Sequence, residues 1–146
     1  VARCESNEMF KYVLNDQSVG AFAGKVLVKE NCPRTVAYQG NRNIVASANA
    51  KMYSKPQLEI YTDDVKCSHG SATGQLNEEA LFYMRSRGIS EAEARQLLMQ
   101  AFMSDVIDAV RLPALKDRLH HLVEKRFRGQ LAMCADCTAA NCAAAK

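Results

Sequence analysis

The sequence predicts a mixed β and α fold, with strands first and helices after residue 76. Three observations carry this. Short runs rich in Val, Ile, Tyr and Ala fill the first half, broken by Gly, Asn and Asp. Many short strands at close spacing fit an all-β sandwich, a barrel or a stacked solenoid. Small residues (Gly20, Ala21, Ala23, Gly24, Ala46, Ser47, Ala48, Ala50) recur inside the pattern, and Asn31, Asn41, Asn43 and Asn49 fall at expected corners. A β-helix uses small side chains where coils stack and residues that tolerate the left-handed conformation where each coil turns, which favours the solenoid. No clean repeat period is visible, so the sandwich and barrel stay open.

The expected strands are Lys25–Lys29, Thr35–Tyr38, Asn43–Ala46 and Leu58–Tyr61. The expected breakers are Asn31–Pro33, Gly40–Asn41, Ser54–Pro56 and Asp63–Asp64. Beyond residue 76, Asn77 can cap a helix that carries Glu78 and Glu79 in its first turn and ends at Gly88. Ser90 and Glu93 form a capping box for a second helix. Its apolar residues Ala94, Leu97, Leu98, Ala101, Phe102, Val106, Ala109 and Val110 have helical spacing. Pro113 ends that helix or starts a third, which carries Leu115, Leu119, Leu122 and Val123 and closes at Gly129. The expected domains are a β core over 1–76, a helical domain over 77–129, and a disordered Cys/Ala-rich tail over 130–146. The abrupt opening at Val1 reads as the middle of a longer chain.

Hydrophobic residues make up 48% and charged residues 24%, an ordinary globular balance. No apolar run approaches the roughly 18–20 residues that span a bilayer. A net charge of +3 is too mild to argue for nucleic acid, which demands a clustered basic face. Residues 111–128 hold six basic and two acidic side chains, read as a solvated face. Six cysteines in a chain with a full apolar quota read as reduced thiols of a cytoplasmic protein. Cys134, Cys137 and Cys142 offer three metal ligands where a closed zinc site takes four.

Phosphate-loop, dinucleotide, nucleophile-elbow and His-Glu-x-x-His motifs are all missing. The most unusual stretch is Asp63 to Leu76. On an extended strand Val65, Cys67 and His69 share one face. A thiol and an imidazole so placed can bind a borderline metal, or form a nucleophile pair. In a third reading, an Asp-Asp turn leads into a last strand that His69 terminates. His120 and His121 point about 100° apart on a helix and do not share one ion easily. Phe10, Tyr12, Tyr38, Tyr53 and Tyr61 read as strand aromatics of the core.

The run Tyr53-Ser54-Lys55-Pro56-Gln57-Leu58-Glu59-Ile60-Tyr61-Thr62-Asp63-Asp64-Val65-Lys66-Cys67-Ser68-His69-Gly70 resembles the C-terminal core of the SufB/SufD family of iron–sulfur cluster assembly proteins, on its SufD side. The likeness continues through Gly74-Gln75-Leu76, Glu79 and Leu81-Phe82-Tyr83-Met84-Arg85-Ser86-Arg87-Gly88-Ile89, and covers roughly residues 15–129. The resemblance implies a right-handed parallel β-helix followed by a small three-helix domain. It implies a non-catalytic scaffold that pairs with SufB through the β-helix and with the ABC-type ATPase SufC through the helices. It implies a transient iron–sulfur cluster at the SufB–SufD interface, no tightly bound cofactor, and a role there for His69, with Cys67 beside it. The docking face for the ATPase is expected around Phe102, Asp105 and Val106. A homodimer through the edge that would meet SufB is also expected. The competing function is a thiol-dependent sulfur-transfer enzyme that uses Cys67 and His69.

Overall fold

The computed structural model describes residues 3–130. The chain divides into two compact units, Val1–Phe82 and Tyr83–Lys146. The first holds five strands: β1 (Glu5–Leu14), β2 (Val19–Val28), β3 (Val36–Val45), β4 (Lys51–Ile60) and β5 (Lys66–Gly74). Successive strands alternate between two sheets. One has the order β1-β3-β5 and the other pairs β2 with β4. Every pairing is parallel and neither sheet closes on itself. Parallel pairing sets aside the antiparallel sandwich.

The register reveals the period that composition hides. Glu8 lies opposite Gln39, 31 residues on, and Asn43 opposite Thr73, 30 residues on. The corners repeat as well. Arg3, Arg34 and Asp64 all adopt positive φ, at 70°, 59° and 57°. The Arg3 amide donates to the Pro33 carbonyl at 3.2 Å, and the Arg34 amide to the Asp64 carbonyl at 2.7 Å. Non-glycine residues seldom adopt this conformation. Here hydrogen bonds between successive corners hold it. Asn31 is left-handed too (φ 59°), and Asn49 lies in a turn, as expected of corner residues.

Asn41 and Asn43 are different. Both lie inside β3 and are buried, so Gly40–Asn41 is not a break, and two expected strands are one. Ser54–Pro56 likewise lies within β4. β4 pairs on one side only, and an edge strand tolerates a proline that cannot donate to the ladder. β1 is a strand in a stretch where the sequence predicts none.

The interior between the sheets has an apolar and a polar part. Val26, Val28 and Ala37 form a buried cluster, with Cys32, Leu58, Val65 and Cys67 packed on it. Farther along β3, the inward positions are Gln39, Asn41 and Asn43, all at most 3% exposed. Phe10 and Tyr12 of β1 set their rings 4.9 Å and 6.3 Å from that of Phe22. Phe10, Tyr38, Tyr53 and Tyr61 are exposed, so of the five expected core aromatics only Tyr12 is even half-buried.

Helix α1 (Glu78–Ser86) crosses the boundary between the units. Its N-terminal cap is Asn77, whose Oδ1 accepts from the Ala80 amide at 3.0 Å. It ends at Gly88 (φ 89°), with the Ile89 amide donating back to the Met84 carbonyl. α2 (Glu91–Asp108) opens on Ser90, whose hydroxyl accepts from the Glu93 amide at 3.3 Å. α3 (Pro113–Phe127) has its proline in the first turn and is followed by Gly129 at φ 74°. The expected apolar face of α2 is rotated. Ala94, Met99 and Ile107 are buried, whereas Leu97 and Ala101 are exposed. α3 buries none of its residues, so its leucine stripe is not a core stripe. Lys116 and His120 of α3 both reach Asp108, at 3.5 Å and 3.3 Å, and Gln96 donates to the Phe127 carbonyl.

Two substitutions test this packing. A methyl at Gly24 would stand 2.5 Å from Phe22 Cζ and 2.6 Å from Gln39 Oε1. Gly24→Ala is therefore expected to cost about 1–3 kcal/mol by overpacking, read from urea unfolding; an unmoved midpoint would mean that both side chains step aside. Ser90→Ala is expected to cost about 1 kcal/mol of α2 stability through the lost cap, measured the same way.

Candidate functional site

Side chains on a strand alternate, so β5 presents Cys67, His69, Ser71 and Thr73 on one face. The register continues this face from β3. Ala37 meets Cys67, Gln39 meets His69, Asn41 meets Ser71, and Asn43 meets Thr73. β1 extends the same rows with Ser6, Glu8, Phe10 and Tyr12. Cys67 and His69 are thus placed together as expected, two residues apart on one face. Their surroundings differ. Cys67 is half-buried on the Val26–Val28–Ala37 cluster, whereas His69 is exposed. Neither the thiol nor the imidazole hydrogen-bonds to another described residue, so no third group orients them as a nucleophile pair.

The row through His69 is polar. Gln39 Nε2 donates to Glu8 Oε2 at 2.9 Å. The next rows form a network centred on Asn41 Oδ1, which accepts from Asn43 Nδ2 (2.7 Å), Ser54 Oγ (2.8 Å) and Ser71 Oγ (3.2 Å). Ser71 Oγ also lies 2.7 Å from Ser54 Oγ, and Asn43 Nδ2 lies 3.1 Å from Thr73 Oγ1. Ser54 comes from the other sheet, so Asn41 ties the two sheets together. The alternation Ala37, Gln39, Asn41, Asn43 was the signal for this stripe. Its polar members masked the buried face.

Among the described residues, no group of three or more His, Cys, Asp or Glu side chains is placed to hold a metal ion. Cys134, Cys137 and Cys142 lie outside the described residues. Phe102, Asp105 and Val106 fall on one face of α2 by their spacing; Asp105 is exposed, and the other two are half-buried. His120 is half-buried against Asp108, and His121 is exposed. No described helix is long and apolar enough to cross a membrane.

Comparison with known proteins places these features in a family. Residues 1–102 match the SufBD core domain of SUF system FeS cluster assembly. The chain is 40% identical over 121 residues to an iron–sulfur cluster assembly SufBD family protein of Synechocystis, covering 83% of this chain and 27% of the relative. It is 36% identical over 126 residues to the iron–sulfur cluster assembly protein SufD of Escherichia coli, covering 86% and 30%. The chloroplastic protein ABCI7 of Arabidopsis thaliana is 36% identical over 123 residues, covering 84% and 26%. The chain spans 26% to 30% of the length of these curated relatives. With its core-domain match over most of its length, the chain belongs to the SufBD family of the SUF iron–sulfur cluster assembly system.

Proposed function

We propose that this chain is a non-catalytic scaffold segment of an iron–sulfur cluster assembly complex. The alternating parallel strands are read as successive coils of a right-handed β-helix, and β5 is the last of them. The observation that carries the reading is the position of His69. It is exposed, on a strand that pairs on one side only. The free edge of β5 can accept a partner strand, for which the family supplies SufB; a second copy of this chain is the other candidate. His69 then lies at the junction, with Cys67 beneath it. The cluster is cargo, held transiently between the two proteins. The helical part is the docking element for a SufC-type ATPase, with Phe102, Asp105 and Val106 on the docking face.

The setting of Cys67 supports a scaffold over a sulfur-transfer enzyme. A catalytic thiol sits in an electropositive, accessible place. Cys67 instead packs against valine and alanine side chains.

Three outcomes follow. With iodoacetamide and peptide mapping, the exposed Cys4 is expected to be labelled well before Cys67, whose labelling accelerates in denaturant; fast labelling of Cys67 in the folded chain would favour the thiol enzyme. His69→Ala is expected to preserve complex formation with SufB and the ATPase while lowering cluster loading at least tenfold, read by visible absorbance. Undiminished loading would remove His69 from the site. Asp105→Lys, an exposed change, is expected to weaken co-elution with the ATPase without altering the circular dichroism; unchanged co-elution would move the docking face elsewhere.

A further inference from the structure

The polar network between the sheets leaves two amide atoms without a protein partner. Asn41 Nδ2 and Asn43 Oδ1 are buried and accept or donate no hydrogen bond within the protein. Their residues are only 1% and 3% exposed. A buried polar atom with nothing to bond is destabilising, because it has given up its hydrogen bonds to water without replacement.

Rotating the amides does not remove the problem. Asn43 bonds Asn41 nitrogen to oxygen, at 2.7 Å. Turning one amide alone would set two oxygens or two nitrogens against each other. Turning both preserves the bond and leaves the opposite atom of each amide orphaned. Each of the two asparagines therefore keeps one unpartnered polar atom, whichever orientation holds.

Gln39 Oε1 is also unpartnered, but its setting is different. It faces the Gly24 backbone so closely that even a methyl there would stand 2.6 Å away. Asn41 and Asn43 stand among hydroxyls instead: Ser54 and Ser71 donate to Asn41 Oδ1, and Asn43 Nδ2 donates to Thr73 Oγ1, each at the other end of the amide from its orphaned atom. Ser71 and Thr73 are exposed, so the network runs without interruption from the buried amides to solvent.

We propose that Asn41 and Asn43 form an internal water site, holding about one or two water molecules that complete the bonding of the orphaned amide atoms. A buried water typically makes about three hydrogen bonds to such groups, and the hydroxyls of Ser54, Ser71 and Thr73 belong to the same network as the two orphaned atoms. Exchange with bulk solvent passes the Ser71–Thr73 rim. The ligand is neutral water rather than an ion, because the surrounding groups are amides and hydroxyls, without a charged side chain among the bonded partners.

Oxygen-17 magnetic relaxation dispersion on the whole chain tests this, since it detects internal waters that stay longer than the protein tumbles. The wild type is expected to show a dispersion step that shrinks in Asn43→Leu. A step of equal size in a folded variant would overturn the site. Should that variant fail to fold, a crystal structure of the wild-type chain at about 1.5 Å decides. Ordered water within hydrogen-bond distance of the orphaned atom of each asparagine would support the proposal. Carbon contacts alone at those atoms would overturn it.

Discussion

The parallel register of β3 is the constraint on which the strand unit depends. β3 is the central strand of its sheet, with β1 on one side and β5 on the other. A slip of one residue would turn Ala37, Gln39, Asn41 and Asn43 outward and bring Val36, Tyr38 and Arg42 inward. Apolar packing alone resists this weakly, because Val36 and Tyr38 are themselves apolar. The polar stripe resists it strongly. Asn41 must meet Ser71 on the neighbouring strand and Ser54 on the other sheet at once. A buried polar network specifies one arrangement, because any other leaves still more of its groups without partners. The salt bridge Lys25–Glu59 adds little to this, since both side chains stand in solvent.

A register fixed on β3 also fixes β5, which has no other sheet neighbour. Its residues are exposed apart from the half-buried Cys67. An exposed edge invites unwanted pairing. Composition moderates this. Lys66 begins the strand; Ser68, Ser71 and Thr73 are polar, and Gly70 and Gly74 carry no side chain. Such an edge pairs where a partner supplies complementary groups, and it gives a nonspecific strand little apolar area to bury.

The helical starts and stops were legible in the sequence, because capping chemistry is local. Asn77, Ser90, Pro113 and the two glycines at 88 and 129 act through their own neighbours. The buried side of α2 was not legible, because its apolar residues extend around the helix and tertiary contact decides among them. The strands failed for a related reason. Asparagine commonly marks turns, and Asn31 and Asn49 do so here. Asn41 and Asn43 are the same residue type used as interior hydrogen-bonding groups, a role that appears only when Ser54 and Ser71 are brought beside them. The thirty-residue repeat was hidden because its corners use Arg3, Arg34 and Asp64 rather than one recurring residue. The Cys67–His69 pair was visible as alternation; the difference between their settings was not.

That difference bears on how a scaffold could divide labour at one edge. Two residues along a strand cover roughly 6.6 Å. Over that distance the face passes from valine and alanine at Cys67 to the Glu8–Gln39 row at His69. A thiol packed on an apolar cluster is less open to a reagent or a metal than one at the surface. The imidazole of His69, at the surface, is open to a partner or a metal ion. In the proposed complex, His69 is therefore competent before any rearrangement. Cys67 gains comparable access only if the β5 edge separates from the core. The same strand thus carries one exposed and one half-buried group, and burial rather than separation along the chain distinguishes them.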